Sequence, residues 1–514
     1  MNEAIQQLNG AISLIAPDAI LLASVCLIFF AAPFLVNERG EAPEGLRHRW
    51  GSLSLLTLII AGFVWWQSPP VPRTFGPFVL DELTWYIRGL TLASGAILVL
   101  LHWNQADDAR SAESHACLLA ILAGVNLIAA ANDLVGLFVA LELVSIPTYL
   151  FLLLPRRDAP AQEATLKYFL LSIFSSAIVL FGMSYLYGAT GTTNLSGIHA
   201  AFSTGPSPVN PLVAVATVML IAGLGFRLTA VPFHFYAPDV FQGAPASGAA
   251  MLSLIPKIAG FVALLRLMVP ATGAEQAVTS WTMMPAATPL LWWLAVATMF
   301  VGNLMALMQT DIRRLLAYSS VSHAGYMMVG LIVGLEHEIQ KDVLNRPAVQ
   351  SVSGIGAMLF YLAVYGAMTL GAFAILIAGS RKDKRIETLD DLSGLSRTRP
   401  ALALVFSVFL FSLAGLPPTA GFLGKLNLFF AAWSQGDDSN KWLAVILAVN
   451  AALGAWYYLK VIGVMFLREP IDRSDQPVSA ETPSLIAAGL CLAGTLGLFF
   501  LPGWLWVPIQ SIMP

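Results

Sequence analysis

The chain has 514 residues, of which 57% are hydrophobic and 11% are charged, and its mean hydropathy is +0.74. This composition excludes an ordinary soluble domain and indicates an integral membrane protein. A formal net charge of −3 gives no reason to expect a nucleic-acid partner. The three cysteines, Cys26, Cys117 and Cys491, are too scattered to predict a disulfide framework or a metal, haem or iron–sulfur site.

Apolar runs of about 20 residues, the length that a bilayer requires, predict an all-α fold of fourteen transmembrane helices. The polar connections are too short for a separate soluble domain, although the longest, 379–400, has room for a short surface helix. The predicted spans are 13–36, 49–67, 82–103, 114–131, 134–154, 162–187, 211–230, 245–269, 288–308, 314–335, 352–379, 401–433, 441–467 and 483–507.

Basic residues are divided unevenly between the loops. Sixteen lysines and arginines follow odd-numbered spans, and four follow even-numbered spans. Because cytoplasmic loops hold the excess of basic residues, both chain termini are predicted on the non-cytoplasmic side of the membrane.

Residues 223–260, from the end of span 7 to the middle of span 8, combine charges with four prolines that interrupt a continuous helix. A charge at the bilayer centre costs roughly 2.5 to 3.5 kcal/mol even on lenient insertion scales, and helix breaks leave backbone groups without partners. Such a segment persists where it lines a hydrated cavity, as in transporter ion sites. Its ionisable residues are Arg227, His234, Asp239 and Lys257, and its prolines are Pro232, Pro238, Pro245 and Pro256.

A second interruption is predicted in span 12, where Pro417 and Pro418 precede Lys425. Span 12 follows span 7 by five spans, and an odd offset makes the two cross the membrane in opposite directions. This layout predicts two inverted five-helix repeats, spans 4 to 8 and 9 to 13, each with one broken helix. The predicted regions are 1–113 for spans 1 to 3, 114–269 and 270–467 for the repeats, and 468–514 for span 14.

Glu142 is the only carboxylate deep in span 5, and intramembrane carboxylates are by default functional. Lys167 enters span 6 from the same side, and a rise of about 1.5 Å per residue places both groups at comparable depth. These positions predict an ion pair between them. Two alternatives are that Lys167 pairs with Glu163 one helical turn earlier, and that Glu142 makes a merely structural polar contact.

Three more cations are predicted inside the bilayer. Arg227 ends the first half of span 7, where a helix C-terminus attracts positive charge, and arginine sets a field without exchanging its proton. Lys257 and Lys425 lie well inside spans 8 and 12, where a desolvated lysine can take up and release a proton. For Lys257, snorkelling to the interface is disfavoured because its span continues for two more turns before Arg266.

Some charged residues are assigned no function. Arg88, Arg266 and Lys460 lie near span ends and are expected to snorkel to the membrane surface.

His234 and His323 are candidate proton relays because histidine titrates nearest neutral pH. For both histidines, a hydrogen-bonded core residue is an equal alternative, and the hydroxyl groups beside His323 could hold water or simply pack helices.

Five strings resemble motifs of the antiporter-like membrane subunits of respiratory complex I, and they point to the subunit N family, the counterpart of mitochondrial NADH dehydrogenase subunit 2. The resemblance extends over most of the chain and is weakest before residue 75 and in 336–350 and 470–482. The strings are LELVSIPTYLFL, EATLKYFLLSIFSSAI, AVPFHFYAPDVFQGAP, LAYSSVSHAGY and GLPPTAGFLGK.

The resemblance implies a proton-translocating subunit of NADH:quinone oxidoreductase in the cell inner membrane, assembled with other complex I membrane subunits. It implies that NADH, flavin, iron–sulfur clusters and quinone bind partner subunits, and that this chain binds no cofactor or metal. The charged residues of the family in spans 5, 6, 8 and 12 fall on Glu142, Lys167, Lys257 and Lys425. This chain has Arg227 where the family usually has lysine, so an exchangeable proton is not expected there.

The predicted mechanism has Glu142 and Lys167 as a switchable pair, biased by Arg227 and Lys257. Water and two histidines would then pass protons to Lys425. Two alternatives remain: a subunit of a multi-subunit cation/proton antiporter of the Mrp type, and a non-conducting membrane scaffold of complex I, which Arg227 favours. The complete predicted path is Glu142, Lys167, Arg227, His234, Lys257, His323 and Lys425.

Overall fold

The computed structural model confirms the all-α membrane fold. Among the described residues, thirteen helices are long and apolar enough to cross a membrane. The fourteenth crossing, span 12, consists of two helices of 15 residues each. The structure describes residues 2–37, 41–68, 73–156, 158–203, 211–269, 284–344, 353–380, 386–434, 438–470 and 482–512.

The helices follow the predicted order of spans. Spans 1 to 6 are α1 (Asn2–Leu35), α2 (Leu46–Gln67), α3 (Glu82–His102), α4 (Ser111–Ala129), α5 (Leu134–Leu153) and α6 (Ala159–Thr190), and α7 (Leu195–Ser203) is a short connecting helix. Span 7 is α8 (Pro211–Leu228) with α9 (Ala237–Gly243), and spans 8 to 11 are α10 (Ala246–Met268), α11 (Met284–Leu307), α12 (Ile312–Leu344) and α13 (Gly354–Gly379). After the short α14 (Leu395–Thr398), span 12 is α15 (Pro400–Ala414) with α16 (Ala420–Ser434), spans 13 and 14 are α17 (Asp438–Leu467) and α18 (Thr482–Phe500), and α19 (Gly503–Gln510) ends the described chain.

Each repeat contains the same local structure at its second helix. Asp133 caps α5 and Asp311 caps α12, each accepting a backbone N–H bond of 2.8 Å from the first turn. Such a cap satisfies donors that a helix start leaves without partners. Asp133 also forms an antiparallel bridge with Asn194 after α6, and Asp311 forms one with Thr388 after α13. The second and third helices of both repeats are therefore tied together in the same way.

The helix packing of the two repeats corresponds as well. α4 packs on α5 as α11 packs on α12, and α6 packs on α8 as α13 packs on α15. In both repeats the last helix packs on the first: α10 contacts α4, and α17 contacts α11. Spans 4 to 8 and 9 to 13 therefore have the same internal arrangement, as the predicted five-helix repeats require.

Both broken spans end their first half with left-handed backbone. The residue after α8 is Thr229, with φ 57°, and the residue after α15 is Gly415, with φ 84°. Glycine adopts this conformation freely, whereas a threonine there is strained. Each break leaves the last carbonyl groups of a helix without helical donors, which favours a nearby cation. At the second break Gly421 permits close packing, since a Cβ there would overlap the Ser412 carbonyl oxygen.

Small elements outside the spans were not predicted, except for the short surface helix for which the connection 379–400 has room, which is α14. Strands β1 (Arg73–Phe75) and β2 (Phe78–Leu80) form an antiparallel hairpin before α3. The connection between spans 6 and 7 contains α7, and the last apolar run is divided between α18 and α19. In the long connection 379–400, a 3₁₀ turn at Asp390–Leu392 precedes α14, whereas the basic residues at 381–385 lie outside the described residues. These segments are too short to give a clear hydrophobic period.

Two of the three residues expected to snorkel are instead buried in ion pairs. Arg88 Nη2 lies 2.5 Å from Asp18 Oδ2, and Arg266 donates two bonds of 2.6 Å to the carboxylate of Asp81. The snorkelling prediction is wrong for these arginines because a carboxylate on a neighbouring segment satisfies each guanidinium inside the protein. Lys460, the third residue, has an exposed side chain on α17.

Candidate functional site

Four of the seven predicted path residues are buried in the bundle. Arg227 is 4% exposed, Lys257 0%, His323 1% and Lys425 6%. The side chains of Glu142 and Lys167 are more open, with 24% and 40% exposed. Because buried charges in a membrane protein must have partners or a function, the contacts of each group decide what the site can do.

Glu142 is paired with Arg227 rather than with Lys167. Arg227 Nη2 lies 3.7 Å from Glu142 Oε1, and it donates hydrogen bonds to the Ser145 hydroxyl at 2.8 Å and to the Leu141 carbonyl at 3.1 Å. The Ser176 hydroxyl donates to Glu142 Oε1 at 2.5 Å. The position at the end of α8 therefore holds a fixed positive charge against the carboxylate of span 5.

Lys167 belongs to a separate cluster of ion pairs. Its Nζ lies 2.7 Å from Glu163 Oε1, the alternative partner predicted from the i,i+4 spacing, and 2.9 Å from Asp239 Oδ2. Asp239 also accepts a 2.6 Å bond from Arg314 at the start of α12. The predicted pair of Glu142 and Lys167 is therefore not formed: Ser176, the residue of α6 that reaches Glu142, lies more than two turns beyond Lys167. Asp239 instead joins the two repeats through charge.

Lys257 has only neutral partners. Its ammonium donates to the Ser320 hydroxyl at 2.6 Å and to the Thr229 hydroxyl at 3.2 Å. Tyr365 donates to the same Ser320 oxygen at 2.9 Å. The strained residue at the break of span 7 thus supplies one of the two oxygen partners of this lysine, and α12 of the second repeat supplies the other.

His323 lies between two tyrosines, one turn after Ser319 and Ser320 on α12. Its Nδ1 is 2.7 Å from the Tyr361 hydroxyl and its Nε2 is 3.1 Å from the Tyr458 hydroxyl. Tyr458 is also hydrogen-bonded to Ser319. Since each imidazole nitrogen has a hydroxyl partner that both donates and accepts, this histidine is placed to pass a proton from one side of its ring to the other.

Lys425 lies at the break of span 12. Its ammonium donates to the carbonyl oxygens of Leu413 and Ala414 at 2.8 and 2.9 Å, which are among the last carbonyls of α15. It also lies 5.1 Å from the ring centroid of Tyr326. A lysine on the second half-helix therefore caps the negative end of the first half-helix.

A polar cluster beside Lys425 was missed by the sequence analysis. The Asn303 side chain donates to the Tyr326 hydroxyl at 3.0 Å and to Asn450 Oδ1 at 3.1 Å, and it accepts from Tyr457 at 3.2 Å. These residues are uncharged, so a search for charges overlooks them. The i,i+4 spacing of Tyr361 and Tyr365, and the pair Tyr457 and Tyr458, were the available signals.

His234 does not join the chain of hydrogen bonds. Its Nδ1 is buried without a hydrogen-bond partner, and its ring centroid lies 6.5 Å from that of Tyr318. It stands between α8 and α9, and its neighbour Tyr318 interacts with Arg314 and Asp239. The structure therefore brings together Lys257, His323 and Lys425, and it places His234 apart.

The interior cations differ in whether a carboxylate neutralises their charge. Within the described residues, neither Lys257 nor Lys425 has a carboxylate within 4.0 Å of its ammonium, whereas Arg227 does. Each lysine donates to neutral oxygens, which can keep contact with the amine after it loses a proton. Across the part of the chain that the structure describes, no group of three or more His, Cys, Asp and Glu could hold a metal ion.

Residues 131–454 match the family model described as NADH:quinone oxidoreductase/Mrp antiporter, TM. NADH-quinone oxidoreductase subunit N 1 of Koribacter versatilis is 39% identical over 510 residues, covering 95% of this chain and 94% of that protein. The protein of the same name from Solibacter usitatus is 36% identical over 493 residues, with 95% and 94% coverage. The sequence similarity thus includes all spans of both repeats.

Solved structures show the same fold. A chain of respiratory complex I from Thermus thermophilus with bound aureothin superimposes with a TM-score of 0.75 and 30% identity, covering 96% of this chain and 99% of that one. A chain of the Mrp complex from Dietzia sp. also has a TM-score of 0.75, but at 21% identity it shows the fold alone.

A bundle with two broken spans and lysines at its centre is the architecture of an antiporter-like membrane subunit. The chain belongs to the NADH:quinone oxidoreductase/Mrp antiporter family and, within it, to the subunit N proteins of NADH-quinone oxidoreductase. It is a proton-translocating membrane subunit that assembles with other membrane subunits in a respiratory complex.

Proposed function

We propose that protons cross this subunit by way of Lys257, the hydroxyl and imidazole groups around His323, and Lys425. The observation that carries this proposal is the state of the two lysines, which are buried and donate only to neutral oxygens. A buried ammonium with no carboxylate partner is costly to keep charged. Both lysines are therefore suited to alternate between charged and neutral forms as charge moves nearby.

Hydrogen-bonding groups occupy the space between these lysines. Ser320 bonds Lys257, and the adjacent Ser319 bonds Tyr458, which bonds His323. The ring of Tyr326, three residues after His323, lies against Lys425. Hydroxyl groups both donate and accept, so with intervening water such a series supports proton transfer in either direction.

Glu142 and Arg227 have a different role in this proposal. Arginine keeps its proton, so Arg227 acts as a fixed charge beside Glu142. A change of charge on Glu142, or on a partner subunit beside it, alters the field at the end of α8. Thr229, two residues after Arg227, contacts Lys257 directly. The break of span 7 therefore provides the route by which a distant event reaches the central lysine.

The cluster of Lys167, Asp239 and Arg314 is proposed to lie at the cytoplasmic entrance, with His234 beside it. This orientation follows from the excess of basic residues in the loops on that side. It places both termini on the non-cytoplasmic side of the inner membrane. NADH, flavin, iron–sulfur clusters and quinone are proposed to bind partner subunits, so this chain supplies only the proton path.

The number of protons translocated per electron in the assembled complex tests the proposal. Lys425→Met should lower this ratio while NADH oxidation and assembly persist, because the exit lysine is lost but the redox centres are elsewhere. Lys460→Met is the matched control, since Lys460 is exposed on α17. An unchanged ratio in Lys425→Met would support the non-conducting scaffold instead.

A further inference from the structure

A second buried polar site lies in the three N-terminal spans, outside both repeats. Asp18 on α1 and Arg88 on α3 form an ion pair of 2.5 Å, and their side chains are 1% and 3% exposed. Thr91, one turn further along α3, and Asn126 on α4 are both 0% exposed. The Asn126 side chain lies close enough to interact with the Asp18 carboxylate, but neither of its polar atoms makes a hydrogen bond of normal geometry.

Five side-chain atoms of this site are buried without a hydrogen-bond partner. They are Asp18 Oδ1, Arg88 Nε, Thr91 Oγ1, Asn126 Oδ1 and Asn126 Nδ2. Buried polar groups in folded proteins nearly always have partners, and each orphan costs about 1–3 kcal/mol. Five of them on four neighbouring residues therefore indicate a ligand that satisfies several at once.

The chemistry of the five atoms selects the ligand. Two are acceptors, two are donors and the Thr91 hydroxyl is both, while the charges of Asp18 and Arg88 cancel. A cation would be repelled by the guanidinium and could not use the two N–H donors. An anion would be repelled by the carboxylate. Water donates twice and accepts twice, and buried waters typically make about three hydrogen bonds.

We propose that Asp18, Arg88, Thr91 and Asn126 form an internal water-binding site that attaches span 1 to spans 3 and 4. Only 28% of the most apolar window of α1 is buried, and lipid supplies no hydrophobic force that would drive one helix against another. Asp18 is the only charged residue between Ile15 and Leu35. The hydrated ion pair is thus a charged attachment of this span, to which the hydrogen bond from Thr57 on α2 to Ser24 adds a neutral one.

Cryo-electron microscopy of the intact complex, at a resolution that shows ordered water, tests the site directly. We expect one or more water peaks within hydrogen-bond distance of Asp18 Oδ1 and Asn126. The proposal is overturned if the site contains no such peak, if the five atoms pair directly with each other, or if a metal ion or lipid headgroup occupies it.

Asn126→Leu tests the proposed attachment, because it removes two of the five atoms and keeps the branched shape and the number of side-chain heavy atoms. Amide hydrogen exchange across residues 15–35 of the assembled complex should become several-fold faster, with the protons translocated per electron unchanged. Ser94→Ala is the matched control on α3, since the Ser94 hydroxyl already donates to the Leu90 carbonyl. Equal exchange rates in the two variants would contradict the proposal.

Discussion

The two repeats share one frame but place different chemistry on it. Glu142 and Ser320 each lie nine residues after the aspartate that caps their helix, and Ser145 and His323 each lie twelve residues after it. In the first repeat these positions surround Arg227, and in the second they contact Lys257 and the tyrosines of α13 and α17. Equivalent sites thus hold a carboxylate in one repeat and neutral relays in the other.

In the proposed mechanism, this difference separates the residues that sense charge from the residues that conduct protons. A paired, partly open carboxylate responds to charge on a neighbouring subunit, whereas a sealed row of hydroxyl groups and unpaired lysines is suited to passing protons. The scaffold is the same but the chemical groups differ. Substitutions at equivalent sites of the two repeats should therefore have different effects.

The largest expected effect on stability concerns the ion pair at the end of each repeat. Arg266 at the end of α10 is 4% exposed against Asp81, whereas Arg468 after α17 is 57% exposed against Asp390. Removing one partner of a buried pair destabilises by about 3–5 kcal/mol, and removing a surface pair by roughly 0–1 kcal/mol. The temperature at which the complex unfolds should therefore fall strongly with Arg266→Met and little with Arg468→Met. Equal effects would show that burial does not distinguish the two.

The pH dependence of the buried pair has a definite sign. Burial alone would raise the pKa of Asp81, but the charge and hydrogen bonds of Arg266 outweigh it and leave the pKa below its ordinary value. The stabilisation is therefore complete above the pKa of an unfolded aspartate, about 3.9, and is lost as the pH falls further. Wild-type complex should lose stability in this acid range, and Asp81→Asn should lose less.

Glu142→Gln should lower the number of protons translocated per electron without preventing insertion. The substitution keeps the shape of the side chain and removes the charge opposite Arg227, so the field at the break of span 7 no longer switches. Glu469→Gln is the control, because that carboxylate is 74% exposed and pairs with Arg397 at the surface, outside the proposed path. If the two variants translocate equally, Glu142 is not part of the switch.

Ser320→Ala should slow proton translocation more than Ser322→Ala. Ser320 links Lys257 to Tyr365, whereas the Ser322 hydroxyl donates to the carbonyl of its own helix at Tyr318. Both changes remove one hydroxyl from α12, so packing losses are matched. Proton uptake kinetics in reconstituted vesicles provide the measurement, and the opposite order would exclude Ser320 from the path.

Arg227→Lys should have the smallest effect on translocation. Lysine preserves the positive charge beside Glu142 and loses some of the donors that bind Ser145 and Leu141. A small decrease in the protons translocated per electron is expected. A large increase would show that arginine had disabled an exchange site, which would contradict its assignment as a fixed charge.

The sequence predicts the scaffold well because length, hydropathy and proline breaks are local properties. The break at Pro417 and Pro418, the burial of Lys257 and the i,i+4 pair of Lys167 with Glu163 follow from spacing within one segment. The structure confirms the all-α architecture and the order of the spans, because both depend on these local properties.

The partners of the charges could not be predicted, because they come from distant parts of the chain. An estimate of depth along the membrane made Glu142 and Lys167 appear neighbours, but the residue of α6 at the level of Glu142 is Ser176, more than two turns beyond Lys167, and the cation beside Glu142 is Arg227. Arg88 and Arg266 were expected to reach water because the sequence does not reveal which residues face Asp18 and Asp81. Contacts between distant segments of the chain decide whether an interior charged residue reaches water or a partner inside the protein.

The most direct test of the central claim is the number of protons translocated per electron in complexes with Lys257→Met, compared with Lys460→Met. The account predicts a lower ratio for Lys257→Met and a wild-type ratio for Lys460→Met, with NADH oxidation retained in both. A wild-type ratio in an assembled Lys257→Met complex would contradict the assignment of this lysine to the proton path.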